Sequence, residues 1–145
     1  MYQLSYRSIA VPGLNLDDLD TILKTAIHFN SQHHITGCLI YHNDNFVQII
    51  EGKKDDVLNL YKGIMKDDRH HSINLLWENE INERFFDDWN MAFYRPTDTS
   101  VQQFVNNFLM LSDLSDRPTS SLLSFWSTVR KILLGGPKNQ FEAAY

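Results

Sequence analysis

The chain has 145 residues, 43% of them hydrophobic and 21% charged, with a formal net charge of −5; that fits one globular domain with a sizeable core, not a disordered chain. An acidic chain without a basic run argues against nucleic acid as the main partner, because phosphate binding needs clustered Lys and Arg. The single cysteine, Cys38, excludes an internal disulfide framework and fits a reducing cytoplasm, and the start, MYQLSYRSIAVPG, lacks the features of a signal peptide. No apolar run approaches the length of a transmembrane span.

In chain order, YQLSYRSIA predicts a first strand with Leu4, Tyr6 and Ser8 on one face, broken by Pro12 and Gly13. Asn15 predicts the cap of a helix over LDDLDTILKTAIHFNSQ, with Asp17, Asp18 and Asp20 near its positive end. Leu16, Leu19, Leu23, Ala26 and Ile27 recur at helical spacing and should point inward. ITGCLIYHNDNFVQIIEG reads as a hairpin turning at His42-Asn43-Asp44-Asn45 and ending at Gly52. A second helix follows over KDDVLNLYKGIMKD, with Val57, Leu60, Tyr61 and Ile64 inward. SINLLWENEI predicts a fourth strand, and WNMAFYR a short fifth one ended by Pro96.

The order βαββαββ predicts an α+β sandwich of ferredoxin-like type, with two helices on one face of a mixed sheet. Strands two, three and four carry apolar residues on both faces, so the second face needs a cover. SVQQFVNNFLML places Val101, Phe104, Val105 and Phe108 on one helical face. SLLSFWSTVRKILL does the same with Leu122, Phe125, Trp126, Val129, Ile132 and Leu133. These predict two C-terminal helices, joined by SDLSDRPTS and stopped by Gly135-Gly136-Pro137, that pack on the sheet or on another subunit. The expected division is a domain over residues 1–96 and a helical extension over 97–145, with little signal in the tail KNQFEAAY.

Polar side chains interrupt this pattern. In FVQII, alternation puts Gln48 on the same side as Phe46 and Ile50, and a buried carboxamide without partners costs about 1–3 kcal/mol. Asn30 lies on the buried stripe of the first helix, and Tyr6 alternates with Leu4 on the first strand. Asp67 continues the inward spacing of the second helix, with Arg69 just beyond. Singly, each has an ordinary explanation: a core tyrosine, a helix cap, a strand glutamine facing water. Together they favour a polar, planar ligand between the helices and the sheet, which periodicity does not name.

LSYRSIA, Asn30 before ITGCLIY, FVQIIEG, DDRHH and FFDDWNMAF, in that order and spacing, resemble the motifs of BLUF domains, the blue-light sensors using FAD. The resemblance covers about residues 2–94, and the length and trailing helices resemble the short, stand-alone members. It implies that Tyr6 donates an electron and then a proton to the excited flavin, and that Gln48 sits between Tyr6 and the flavin edge. It implies that Asn30 holds the flavin carbonyl region, and that Asp67 and Arg69 help hold the ribityl chain and phosphates. Trp89 and Met91 match strand-five residues that shift as the signal leaves. Ser8 lies near the same network, and Ile22, Ile35 and Phe46 would be apolar neighbours of the ring. The chain departs from the family at Phe29, His34, Asp68 and Asn90, where a polar residue, glycine, proline and serine are common.

The resemblance further implies a receptor with noncovalent FAD and no catalysis of its own. It would signal through light-dependent contacts with a partner protein, as a homo-oligomer, without nucleic acid or membrane. Two other classes stay open: a ferredoxin-like protein–protein interaction domain whose photochemistry is lost or secondary, and a small acyl-phosphate hydrolase, which would need a phosphate cradle that no Gly-rich loop supplies. Adjacent His33-His34 and His70-His71 point apart, so no metal site is expected.

Overall fold

The computed structural model describes residues 1–114, 119–135 and 141–143. The elements are β1 (Tyr2–Ala10), α1 (Leu16–Gln32), β2 (Thr36–His42), β3 (Asn45–Gly52), α2 (Lys54–Met65), β4 (His70–Glu80), β5 (Ala92–Tyr94), α3 (Thr99–Leu114), α4 (Thr119–Gly135) and β6 (Phe141–Ala143). One mixed sheet runs in the order β4-β1-β3-β2-β5-β6. The pairs β1–β3, β1–β4 and β2–β3 are antiparallel, and β5 lies parallel to β2.

Local chemistry explains the boundaries. Asn15 accepts from Asp18 N–H while Asp18 accepts from Asn15 N–H, a reciprocal capping box that starts α1. The β2–β3 turn places Asn43 and Asp44 at φ 49 and 62, the left-handed pair that a two-residue hairpin requires. His34 also has a positive φ, 53. A glycine would meet that conformation without steric cost, and histidine is among the side chains that tolerate it.

Alternation sorts the sheet into two cores. On one side Leu4, Tyr6, Leu39, Phe46, Ile50 and Phe93 pack with Leu19 and Leu23 of α1 and Val57 of α2. On the other, Cys38, Ile40, Val47, Ile49, Ala92 and Tyr94 pack with Val105, Phe108 and Leu109 of α3 and Leu122, Phe125, Trp126, Val129 and Leu133 of α4. The rings of Phe108 and Phe125 stack at 4.0 Å where α3 meets α4.

Several local expectations are corrected. Leu16 begins α1 but is 60% exposed, because it precedes the turns that lie on the sheet. The fifth strand is only three residues long, so Trp89 and Met91 lie in the segment leading to it. β4 is an edge strand and largely exposed, with Leu75 out in solvent. α3 extends through Ser112 and Asp113, part of the expected linker, while residues 115–118 and the Gly136-Pro137 stop lie outside the described residues. The tail contributes β6, which pairs with β5 through Phe93↔Ala143 and Tyr94↔Phe141.

Candidate cofactor-binding site

The two central strands set the site. In their antiparallel register Tyr6 stands directly opposite Gln48, so both side chains leave the same face of the sheet. The Tyr6 hydroxyl donates a short hydrogen bond to Gln48 Oε1. Gln48 Nε2 in turn donates to Met91 Sδ at 3.5 Å. All three side chains are buried. Burial, with Tyr61 and Asp67 nearby, pushes the Tyr6 hydroxyl far above the ordinary tyrosine value, so it keeps its proton at neutral pH.

A cavity of about 330 Å³ lies over this pair, between α1, α2 and the sheet. That is within the range of ligand pockets, roughly 300–1,000 Å³. Its floor is buried: Tyr6, Asn30, Leu39, Phe46 and Gln48. Its rim is exposed: Thr25 of α1, Asn59 and Gly63 of α2. The walls are apolar, from Ile22, Ala26, Phe29, Leu60 and Ile64, so polar contacts concentrate at the floor and at one end.

At the floor, Asn30 is fully buried in the last turn of α1. Its Nδ2 donates to the Asn90 carbonyl at 2.9 Å, which ties α1 to the segment holding Met91. Its Oδ1 has no hydrogen-bond partner among the described residues. A buried acceptor of this kind is costly unless something donates to it. At the end of the cavity, Asp67 lies just past α2, and Arg69 Nε donates to its two carboxylate oxygens at 2.9 and 3.1 Å. That hydrogen bond holds the Asp67 carboxyl below its ordinary value, and the same pairing raises Arg69.

Of the residues named from sequence, Tyr6, Ile22, Asn30, Phe46, Gln48, Asp67 and Arg69 line the cavity. Ser8 stands behind it. His70 Nε2 donates to the Ile64 carbonyl at 2.6 Å, and its Nδ1 is hydrogen-bonded to the Ser8 hydroxyl at 2.7 Å. His70 itself lines the cavity, a place that its reading as half of a histidine pair did not suggest. Its only sequence signal is its position in DDRHH. Ile35 is fully buried but is not part of the cavity wall, because it packs beside Gly52 at the end of β3. Met91 reaches the floor through Gln48, whereas Trp89 belongs to the core on the opposite face of the sheet, beside Phe86. Among the described residues, no cluster of His, Cys, Asp and Glu could hold a metal ion.

The arrangement suits a flat ligand with hydrogen-bonding groups along one edge. It would slide between α1 and α2, meet Asn30 and Gln48 at that edge, and leave any anionic extension near Arg69.

Comparison with known proteins names such a ligand. The family model for BLUF, described as sensors of blue-light using FAD, matches residues 1–92. The photoactivated adenylate cyclase subunit beta of Euglena gracilis is 32% identical over 143 residues, 94% of this chain but only 16% of that protein. Among solved structures, BlsA in its photo-activated state superimposes with a TM-score of 0.77 at 28% identity, covering 89% of this chain and 94% of that one. BlrB, described as a BLUF protein in its dark state, gives 0.76 at 27% identity over the same shares, 89% and 94%. With the family model matched over both central strands and the whole cavity floor, and the fold shared almost end to end, the chain belongs to the BLUF family, the sensors of blue light that use FAD.

Proposed function

We propose that Tyr6, Gln48 and Met91 form the light-operated switch of this receptor, and that its signal leaves through the helices of residues 97–145. The observation that carries this reading is the bonding of Gln48: its acceptor end takes a hydrogen bond from the Tyr6 hydroxyl and its donor end rests on the Met91 sulfur. The site residues fit the cofactor. Asn30 Oδ1 supplies an acceptor for a ring N–H, and Gln48 supplies a carboxamide beside the ring edge. Asp67 and Arg69 stand where the ribityl chain and phosphates would leave the cavity.

FAD, when bound, supplies the absorption of blue light and the redox chemistry that follows it. The protein supplies a rearrangeable hydrogen bond. A carboxamide has an acceptor oxygen and an NH2 donor, so half a turn about its terminal bond exchanges them. Gln48 would then offer its NH2 to the Tyr6 oxygen and its oxygen toward Met91. Thioether sulfur is a weak acceptor, so the starting orientation is held loosely on that side. Met91 is two residues from Trp89, on the other side of the sheet, and this supports a route from Gln48 through the Trp89–Met91 segment to α3 and α4.

The sensing domain in this reading spans residues 1–96, and the family match over 1–92 supports that limit. The chain matches only a small part of the photoactivated cyclase, 16% of it, and we assign it no catalysis of its own. A relative whose name joins light to a cyclase supports transfer of the signal to an effector. Exposed Met110, Leu111 and Leu134 on α3 and α4 support a protein contact there, with a second copy or a downstream partner. One thiol supports a cytoplasmic setting, and among the described residues no helix is long and apolar enough to cross a membrane.

The test is the absorption spectrum of dark-purified protein before and after a blue flash, for wild type and Gln48→Leu. The expected result is a small red shift that recovers in the dark for wild type and none for the variant. A flavin-loaded wild type whose spectrum does not move overturns the switch. A colourless protein that takes up no added FAD overturns the assignment of the cavity.

A further inference from the structure

The second face of β1 carries an unexpected row. While Leu4, Tyr6 and Ser8 face α1 and α2, the alternating residues are Gln3, Ser5 and Arg7, and the first two are 1% and 0% exposed. Three polar side chains line the centre of a sheet face whose neighbours are Cys38, Ile40, Val47 and Ile49. Each reaches a different element. Gln3 Nε2 donates to Glu51 Oε1 at 2.9 Å and its Oε1 accepts from the Trp77 indole at 2.9 Å. Arg7 donates to the Leu109 carbonyl, Ser112 Oγ and Asp113 Oδ1 at the end of α3.

Ser5, between them, makes the most telling contacts. Its hydroxyl donates to the backbone carbonyl of Gln48 at 2.9 Å. It accepts from the indole N–H of Trp126 at 3.0 Å. Trp126 is fully buried on α4, with its ring edge-on to Phe86 at 5.7 Å. A continuous chain of donors therefore runs from α4, through Ser5, to the peptide whose side chain accepts from the Tyr6 hydroxyl. Alanine would fill the place of Ser5 without burying a hydroxyl, so packing does not explain the residue. Hydrogen bonds in series polarise one another, so the geometry at one end is felt at the other.

We propose that Ser5 and Trp126 couple the Gln48 peptide to α4 directly through the sheet, making Ser5 a positioning residue for the output helix. A displacement of β3 at Gln48 moves the acceptor of the Ser5 hydroxyl. Ser5 then turns, and the Trp126 indole loses or gains its partner. This route is separate from the one around the sheet through Met91 and Trp89, and it rests on the light-switch reading of Tyr6 and Gln48.

The experiment uses the full chain loaded with FAD, in darkness and under blue light. Three readings are taken: the flavin absorption, the NMR resonance of the Trp126 indole N–H, and hydrogen exchange over residues 119–135. In wild type, light should move the indole resonance and change exchange in α4. Ser5→Ala and Trp126→Phe should keep the flavin shift but reduce the light-dependent exchange difference by roughly threefold or more. Ser5→Thr, which keeps the hydroxyl, should restore it. An absorption shift with an unmoved Trp126 resonance overturns the coupling alone. So does a Ser5→Ala or Trp126→Phe protein whose α4 responds as wild type does. A wild-type spectrum that does not move overturns the switch reading and the coupling together.

Discussion

Gly37 is the position where geometry sets the heaviest demand. A Cβ built there would lie 2.1 Å from the Ile49 carbonyl oxygen, 3.1 Å from its carbon and 3.3 Å from Ile50 Cα. All three are backbone atoms of β3, so no side chain can move aside. To reach ordinary contact, β2 must retreat from β3 by about 1 Å, which weakens about two ladder hydrogen bonds worth ~1 kcal/mol each. The Gly37 N–H also donates to the Trp89 carbonyl at 3.1 Å, so the segment leading to Met91 is dragged along. Overpacking adds ~1–3 kcal/mol, and the stiffer unfolded chain returns ~0.4–1 kcal/mol. The net cost of Gly37→Ala is therefore about 2–4 kcal/mol, or a fall in Tm of roughly 8–16 °C for a chain of this size. The assay is thermal unfolding by far-UV circular dichroism with saturating FAD, because bound ligand stabilises only the folded state. Gly135→Ala is the control: nothing lies within 4 Å of its Cβ, it lies away from the cavity at the end of α4, and alanine there should leave the Tm unchanged or slightly raised. A Gly37→Ala protein that unfolds within a degree or two of wild type refutes the reasoning.

Asn30→Ala removes the unpartnered acceptor at the cavity floor and should weaken FAD binding by roughly tenfold, as measured by flavin fluorescence titration. Unchanged affinity would mean that Oδ1 meets nothing on the ligand. Glu51 is fully buried, accepting from Gln3, Thr36 and the backbone N–H groups of Phe85 and Phe86. Burial nevertheless raises its carboxyl above the ordinary 4.5. The folded chain then holds that proton to higher pH than the unfolded chain does. Stability from this group is full below pH 4.5 and is lost as pH rises through the folded pKa. The Tm of wild type relative to Glu51→Gln should therefore fall from that pH toward neutrality, and a gap moving the other way would show that the four donors outweigh burial.

The parts legible in the sequence are those whose cause is local. Asn15 and Asp18 are three residues apart, and their capping box closes within one turn of α1. The turn at Asn43 and Asp44 and the alternation of Phe46, Gln48 and Ile50 are equally short-range. Tyr6, Asn30 and Gln48 stood out because each is polar in an apolar pattern, and the cavity gathers all three. The row Gln3, Ser5 and Arg7 did not stand out, because polar residues alternating with apolar ones on a strand read as its solvent side. Their partners lie far along the chain, with Trp126 121 residues from Ser5 and Asp113 106 from Arg7. The length of β5 also has a non-local cause. Trp89 is apolar enough to continue a strand, but Glu51 accepts from Phe85 and Phe86 and pins the preceding segment across the sheet end.

Cys38, silent in all the polar networks, has a use of its own. It is the one thiol of the chain, with no exposure, and burial holds its proton on well beyond the ordinary thiol value. It lies in register with Ala92, the first residue of three-residue β5, beneath the α3–α4 layer. A disulfide reagent can reach that sulfur only when this layer or the β2–β5 seam parts, because attack requires an accessible thiolate. The rate of its labelling is therefore a built-in clock for opening on the output side of the sheet. Run in darkness and in light, the clock would time how far a photon loosens that seam, with no dye attached beforehand.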